Sequence, residues 1–140
     1  MAAVMSGHTA HSWQVRVYYE DTDSGGVVYH SNYLNFMERA RTEWLRSLGF
    51  EQTCLRDELA VVFVVHSMRI FFKKPAKFND LLLVSSNIEN VGRSSMVFDQ
   101  KITKDNQLLI EAQVKLACVN TATFKPTVIP QSVLLKMESV

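Results

Sequence analysis

Ser31-Asn32-Tyr33-Leu34-Asn35-Phe36-Met37-Glu38-Arg39-Ala40-Arg41-Thr42-Glu43-Trp44-Leu45-Arg46-Ser47-Leu48-Gly49 decides the fold. No Gly or Pro interrupts the run from Tyr33 to Leu48. Tyr33, Met37, Ala40, Trp44 and Leu48 recur at three- and four-residue spacing, so they share one helical face. Glu38, Arg39, Arg41, Glu43 and Arg46 fill much of the remainder. Ser31 or Asn32 is expected to cap the first turn through its side chain, and Gly49 to stop the last. At 1.5 Å per residue such a helix is about 25 Å long, enough to span a small domain.

Downstream, after a polar connection from Glu51 to Glu58, the chain reads as strands. Val61 to Phe72 begins as a continuous apolar run, as expected of a strand buried on both faces. It then alternates, with Met68, Ile70 and Phe72 opposite Arg69 and Phe71. Leu81 to Glu89 and Ser95 to Thr103 follow, separated by a turn at Asn90-Val91-Gly92-Arg93. Leu108 to Val119 is the clearest strand, with Leu108, Ile110, Ala112, Val114, Leu116 and Cys118 on one side. Gln131 to Met137 reads as a short terminal helix. Upstream, Gln14 to Tyr19 is a strand with Val15, Val17 and Tyr19 on one face. The class is therefore α+β: one amphipathic helix against an antiparallel sheet of about five strands. Residues 1–12 are expected to form a flexible tail and residues 13–140 a single domain.

Composition narrows the function. The chain has 140 residues and a formal charge of +1, from 15 basic and 14 acidic side chains. That balance argues against nucleic acid as a partner, which calls for clustered positive charge. Cys54 and Cys118 are too few for a disulfide scaffold or a four-ligand zinc site, and point to a reducing, cytoplasmic setting. Met1 to Ser12 hold no Lys, no Arg and no apolar run, which argues against a secretory signal. No apolar stretch approaches the roughly 20 residues of a membrane-spanning helix.

The chemistry concentrates in Glu20-Asp21-Thr22-Asp23-Ser24-Gly25-Gly26, just ahead of the helix. Alone, such an acidic run reads as a solvated turn. A calcium loop fails, because Gly25 stands at its fifth position and Asn32 at the twelfth, where a bidentate Glu belongs. The glycines are no phosphate cradle either, since no G-K-[ST] follows. What sets the segment apart is a carboxylate, two glycines, His30 and a helix start in close succession. Glycines let backbone approach a ligand, and a helix N-terminus offers unpaired N–H groups to a developing oxyanion. A carboxylate there can serve as base or nucleophile toward an acyl carbon.

Val15-Arg16-Val17-Tyr18-Tyr19-Glu20-Asp21-Thr22-Asp23-Ser24-Gly25-Gly26-Val27-Val28-Tyr29-His30-Ser31-Asn32-Tyr33 resembles the signature of the hotdog-fold acyl-CoA thioesterases. Within them it is similar to the tol-pal-associated branch of the 4-hydroxybenzoyl-CoA thioesterase-like family, as is Glu38-Arg39-Ala40-Arg41-Thr42-Glu43. Ser24 departs from it, standing where Ala is more familiar. The resemblance implies a hotdog fold and a homodimer or homotetramer with its sites at the subunit interface. It implies that Asp23 is the catalytic carboxylate, with His30 functional and Tyr19 supporting. Gly26, Val27, Tyr29 and Ser31 would border the substrate, and a backbone N–H near His30 would polarise the thioester carbonyl. Lys73, Lys74 and Arg93 would meet the phosphates of CoA, although lysines in such a run are also ordinary protection of a strand edge. The implied reaction is hydrolysis of an acyl thioester of CoA or of acyl carrier protein, without cofactor or metal, in a role tied to the tol-pal system. Its rivals are a hotdog hydratase or dehydratase and a non-catalytic acyl-thioester binding module. His66 reads as structural, Cys54 and Cys118 as outside the chemistry, and Met37, Met68 and Met96 as core filling.

Overall fold

The computed structural model describes residues 10–139. Its elements in chain order are β1 (His11–Arg16), α1 (Asn32–Ser47), α2 (Gln52–Leu59), β2 (Val61–Phe72), β3 (Leu81–Val91), β4 (Ser95–Lys104), β5 (Gln107–Asn120) and α3 (Gln131–Ser139). The five strands form one antiparallel sheet in the order β1-β3-β4-β5-β2. Helix α1 lies against one face of it, as the sequence predicts.

The apolar stripe of α1 explains that packing. Tyr33, Met37, Ala40, Trp44 and Leu48 are all buried, and Phe36 and Leu45 widen the stripe. Opposite them stand Leu82, Val84, Phe98, Ile102 and Val114, with Trp44 edge-on to Phe98 at a centroid distance of 5.0 Å. Gly49 ends the helix with φ +94°: its N–H donates to the Arg46 carbonyl at 2.9 Å, and the Phe50 N–H to the Leu45 carbonyl at 3.1 Å. That pair of bonds is a Schellman motif, which needs a left-handed residue at this position.

Several expectations are corrected. β1 begins at His11, inside the stretch read as a tail, while residues 1–9 of that stretch lie outside the described residues. It also stops at Arg16, and Tyr19–Asp21 is a single 3-10 turn rather than the end of a strand. The polar connection after α1 is largely the helix α2, which buries Leu55 alone and so leaves little periodic signal. Ser31 is the N-cap of α1 but forms no side-chain cap bond.

β2 is not buried on both faces. It is the sheet's edge, paired only with β5, and Val61 is its one buried residue. Val65 is 49% exposed and Phe72 51%. His66 sits exposed where the register with β5 shifts, between Val65 and Ser67. Arg41, grouped by its charge with the outer face of α1, is buried at 6% exposure. It donates to Gln100 Oε1 at 3.0 Å, and Gln100 Nε2 donates to Ser86 Oγ at 2.8 Å and to the Met37 carbonyl at 3.1 Å. Ser86 and Gln100 are themselves fully buried, so this is an internal polar network between helix and sheet.

Candidate active site

The acidic run is held in place from both ends. Asp21 Oδ2 accepts from the Tyr18 N–H at 2.8 Å, and Asp21 Oδ1 accepts from Asn32 Nδ2 at 2.6 Å. The Asp21 carbonyl also accepts from the Tyr29 N–H at 2.9 Å. One acid thus ties the end of the first-strand segment to the first residue of α1. The Asn32 side-chain oxygen, the acceptor a capping bond would need, takes the Asn35 Nδ2 amide at 2.7 Å instead.

Between these anchors the chain makes a tight turn. The Asp23 N–H donates to the Val27 carbonyl at 2.9 Å and the Gly26 N–H to the Asp23 carbonyl at 3.1 Å. The Gly25 N–H donates to Asp23 Oδ1 at 2.8 Å, which fixes the carboxylate and leaves Oδ2 without a hydrogen bond from the described residues. Gly26 has φ +83°, a conformation costly for other residues. A Cβ on Gly25 would lie 3.2 Å from Asp23 Oδ1. The turn docks on the segment ahead of β3, with the Val28 N–H donating to the Ala76 carbonyl at 2.8 Å and Val27 bridged to Lys77. In the single chain, Asp23 is exposed.

His30 is exposed and packs its ring beside Tyr29 at 4.6 Å and edge-on to Phe72 at 6.2 Å. With Tyr33, Phe72, Lys73 and Lys74 it borders a cavity of about 240 Å³. The backbone N–H groups of His30 and Ser31, at the positive end of α1, donate to no described residue. Behind them the Tyr33 hydroxyl accepts from the Ala76 N–H at 2.9 Å. Burial holds the Tyr33 phenol above its ordinary pKa; the bond from Ala76 opposes this, and the charges of Asp80 and Asp23 add to it. The Asp23 carboxylate is therefore close enough to bear on a side chain in the first turn of α1.

One end of the molecule thus gathers Asp23, His30, Ser31, Lys73 and Lys74, with Gly26, Val27 and Tyr29 in the connecting turn. Lys73 Nζ lies 3.7 Å from Glu111 Oε2, while Lys74 is in no ion pair among the described residues. Two residues fall elsewhere. Tyr19 is 76% exposed and stacks flat on Phe78 at 3.8 Å, in a surface hollow shared with Arg16. Arg93 follows the far end of β3; a strand rise of about 3.3 Å per residue sets it roughly 30 Å from the Lys77 end. Asn32, the Tyr33 hydroxyl and Phe72 belong to the site but were not singled out by sequence, since each also suits an ordinary cap or core position. Burial pushes the Cys118 thiol up to about 11, whereas Cys54 is exposed.

Comparison with known proteins adds four likenesses. The sequence model of the thioesterase superfamily matches residues 25–111, starting just past Asp23. An acyl-CoA thioesterase of Haemophilus influenzae, YbgC, is 46% identical over 87% of this chain and 90% of its own. The acyl-CoA thioester hydrolase YbgC of Escherichia coli O157:H7 is 44% identical over 93% of this chain and 97% of its own. Among solved structures, a probable thioesterase from Bartonella henselae superposes with a TM-score of 0.83 at 38% identity, covering 86% of this chain and 99% of that one.

Proposed function

The chain belongs to the thioesterase superfamily and has its hotdog fold, and on that premise we propose that it hydrolyses acyl-CoA thioesters with Asp23 as the reacting carboxylate. One observation carries the residue assignment. The Asp23 turn is fastened to the start of α1 through the 2.6 Å Asn32–Asp21 bond, beside two backbone N–H groups that have no partner among the described residues. Those N–H groups suit the carbonyl oxygen of a thioester, on which negative charge grows as the carbon becomes tetrahedral.

Two routes use this arrangement. As a base, Asp23 takes a proton from water while the water oxygen bonds to the acyl carbon; the C–S bond then breaks and the CoA sulfur receives the proton. As a nucleophile, Asp23 bonds to the acyl carbon and expels the thiolate, and water cleaves the resulting anhydride. Both yield a carboxylic acid and CoA, and neither calls for a metal or cofactor. His30 borders the same cavity as Lys73 and Lys74, whose ammonium groups suit the CoA phosphates.

The functional unit on this reading is a dimer in which CoA lies across both copies. The open, half-exposed edge of β2 supports it, being able to pair with a second β2. So does the position of Arg93, past the end of β3 opposite the one on which the Asp23 turn docks. A cytoplasmic setting, which rests on cysteine usage, and a tie to the cell-envelope tol-pal system, which rests on the sequence resemblance, complete the proposal. No helix among the described residues is long and apolar enough to cross a membrane.

Asp23→Asn tests the core of this reading. Hydrolysis of acyl-CoA is expected to fall by about 10²–10⁴, with the far-ultraviolet spectrum unchanged. Activity within tenfold of the parent would refute the assignment. Single-turnover hydrolysis in ¹⁸O water identifies the nucleophilic route when label enters the Asp23 carboxylate, as it does where water opens the anhydride at the aspartyl carbonyl.

A further inference from the structure

A second cavity, of about 300 Å³, lies farther along α1, enclosed by Trp44, Phe63, Met96, Phe98 and Leu116 with Arg41 in its wall. From Tyr33, at the thioester end, to Arg41 the helix rises about 12 Å. The walls are apolar apart from that guanidinium and the side chains of Glu38 and Gln52.

The charge in this wall is poorly balanced. Arg41 is 94% removed from solvent by its 6% exposure, yet no carboxylate lies within ion-pair distance of it among the described residues. Among the described residues its one hydrogen bond goes from Nη1 to the neutral amide oxygen of Gln100. Glu38, one turn back, is exposed, and its carboxylate accepts from the Thr42 hydroxyl at 2.8 Å. Burial pulls the guanidinium below its ordinary pKa, opposed by the charge of Glu38; even so, a guanidinium does not deprotonate in proteins. A buried cation costs several kcal/mol unless a counter-charge and hydrogen bonds offset it. A guanidinium with N–H groups unbonded among the described residues, beside a hollow whose wall is part apolar and part polar, is suited to a carboxylate, which can accept two parallel bonds from it.

We propose that this cavity binds a compact carboxylic acid, with its carboxylate on Arg41 and its apolar body between Trp44 and the β4–β5 side chains. At roughly 30 Å³ per water the space equals about ten waters, the atom count of a benzoate-sized molecule. The site is separate from Asp23 and stands whether or not Asp23 carries the hydrolysis.

Benzoate is the probe and benzyl alcohol, its neutral analogue, the control. In calorimetric titration of the intact protein, benzoate is expected to saturate one site per chain and to bind at least tenfold tighter than benzyl alcohol. It should also change the fluorescence of Trp44. Arg41→Lys keeps the charge but loses the planar fork, so benzoate is expected to weaken about tenfold. Arg41→Gln should bring benzoate down to the level of the alcohol. Absence of saturable benzoate binding, equal affinity for both probes, or unchanged affinity in a folded Arg41 variant each overturns the proposal. The comparison of probes on the parent protein decides even if both variants fail to fold.

Discussion

Gly25 and Gly26 are neighbours with different reasons to be glycine, and substitution tells them apart. Nothing lies within 4 Å of a Cβ on Gly26, but its φ of +83° is strained for any L side chain. Gly26→Ala is therefore expected to cost about 1–2 kcal/mol in urea unfolding. A Cβ on Gly25 meets Asp23 Oδ1 at 3.2 Å with no left-handed backbone involved. Gly25→Ala should leave unfolding within about 0.5 kcal/mol of the parent while lowering kcat, because it displaces the carboxylate. A Gly25 variant with unaltered kcat would separate the position of that oxygen from turnover. That Asp23 and His30 lie together ahead of α1 was legible in sequence because the whole run from Val15 to Tyr33 is local. The stack of Tyr19 on Phe78 was not, since it joins residues far apart in the chain.

Helix α1 was legible down to its Gly49 stop because its stripe repeats at the helical period. Arg41 broke the pattern: charge alone assigns an arginine to the outer face, and only Gln100 and Ser86 on the sheet explain its burial. The eight-residue α2 and the edge position of β2 were lost for related reasons. A short helix with one buried residue has no period, and an apolar strand reads alike whether or not a neighbour is present. Strand docking yields a pH prediction. Asp80, just ahead of β3, receives Lys104 Nζ of β4 at 2.9 Å and the Lys77 N–H at 2.8 Å. Burial alone would raise its carboxyl, but the bonds from Lys104 and Lys77 and their charges outweigh this and hold it below the ordinary value. A depressed carboxyl contributes stability above its unfolded pKa, near 4, and loses it as pH falls through the folded one. Asp80→Asn should thus lower Tm at pH 6–7, and the gap should close below about pH 4. A gap that persists unchanged at low pH would assign the loss to packing.

For the whole molecule, the architecture of one helix on five strands followed from element order, whereas the placement of Arg93 relative to Asp23 did not. Asp23 and Arg93 lie at opposite ends of the sheet, and no pattern in a linear chain measures that separation. A site built across two copies makes a sharp demand. Asp23→Asn and Arg93→Ala homodimers, assayed at low acyl-CoA, should each be impaired. Equal amounts refolded together should recover about a quarter of parental activity, since half the pairs are mixed and each holds one intact site. No recovery despite demonstrated exchange would confine the site to a single chain. The distance between one aspartate and one arginine therefore reaches into inheritance: two defective alleles of such a gene, each failing alone, would complement one another in the same cell.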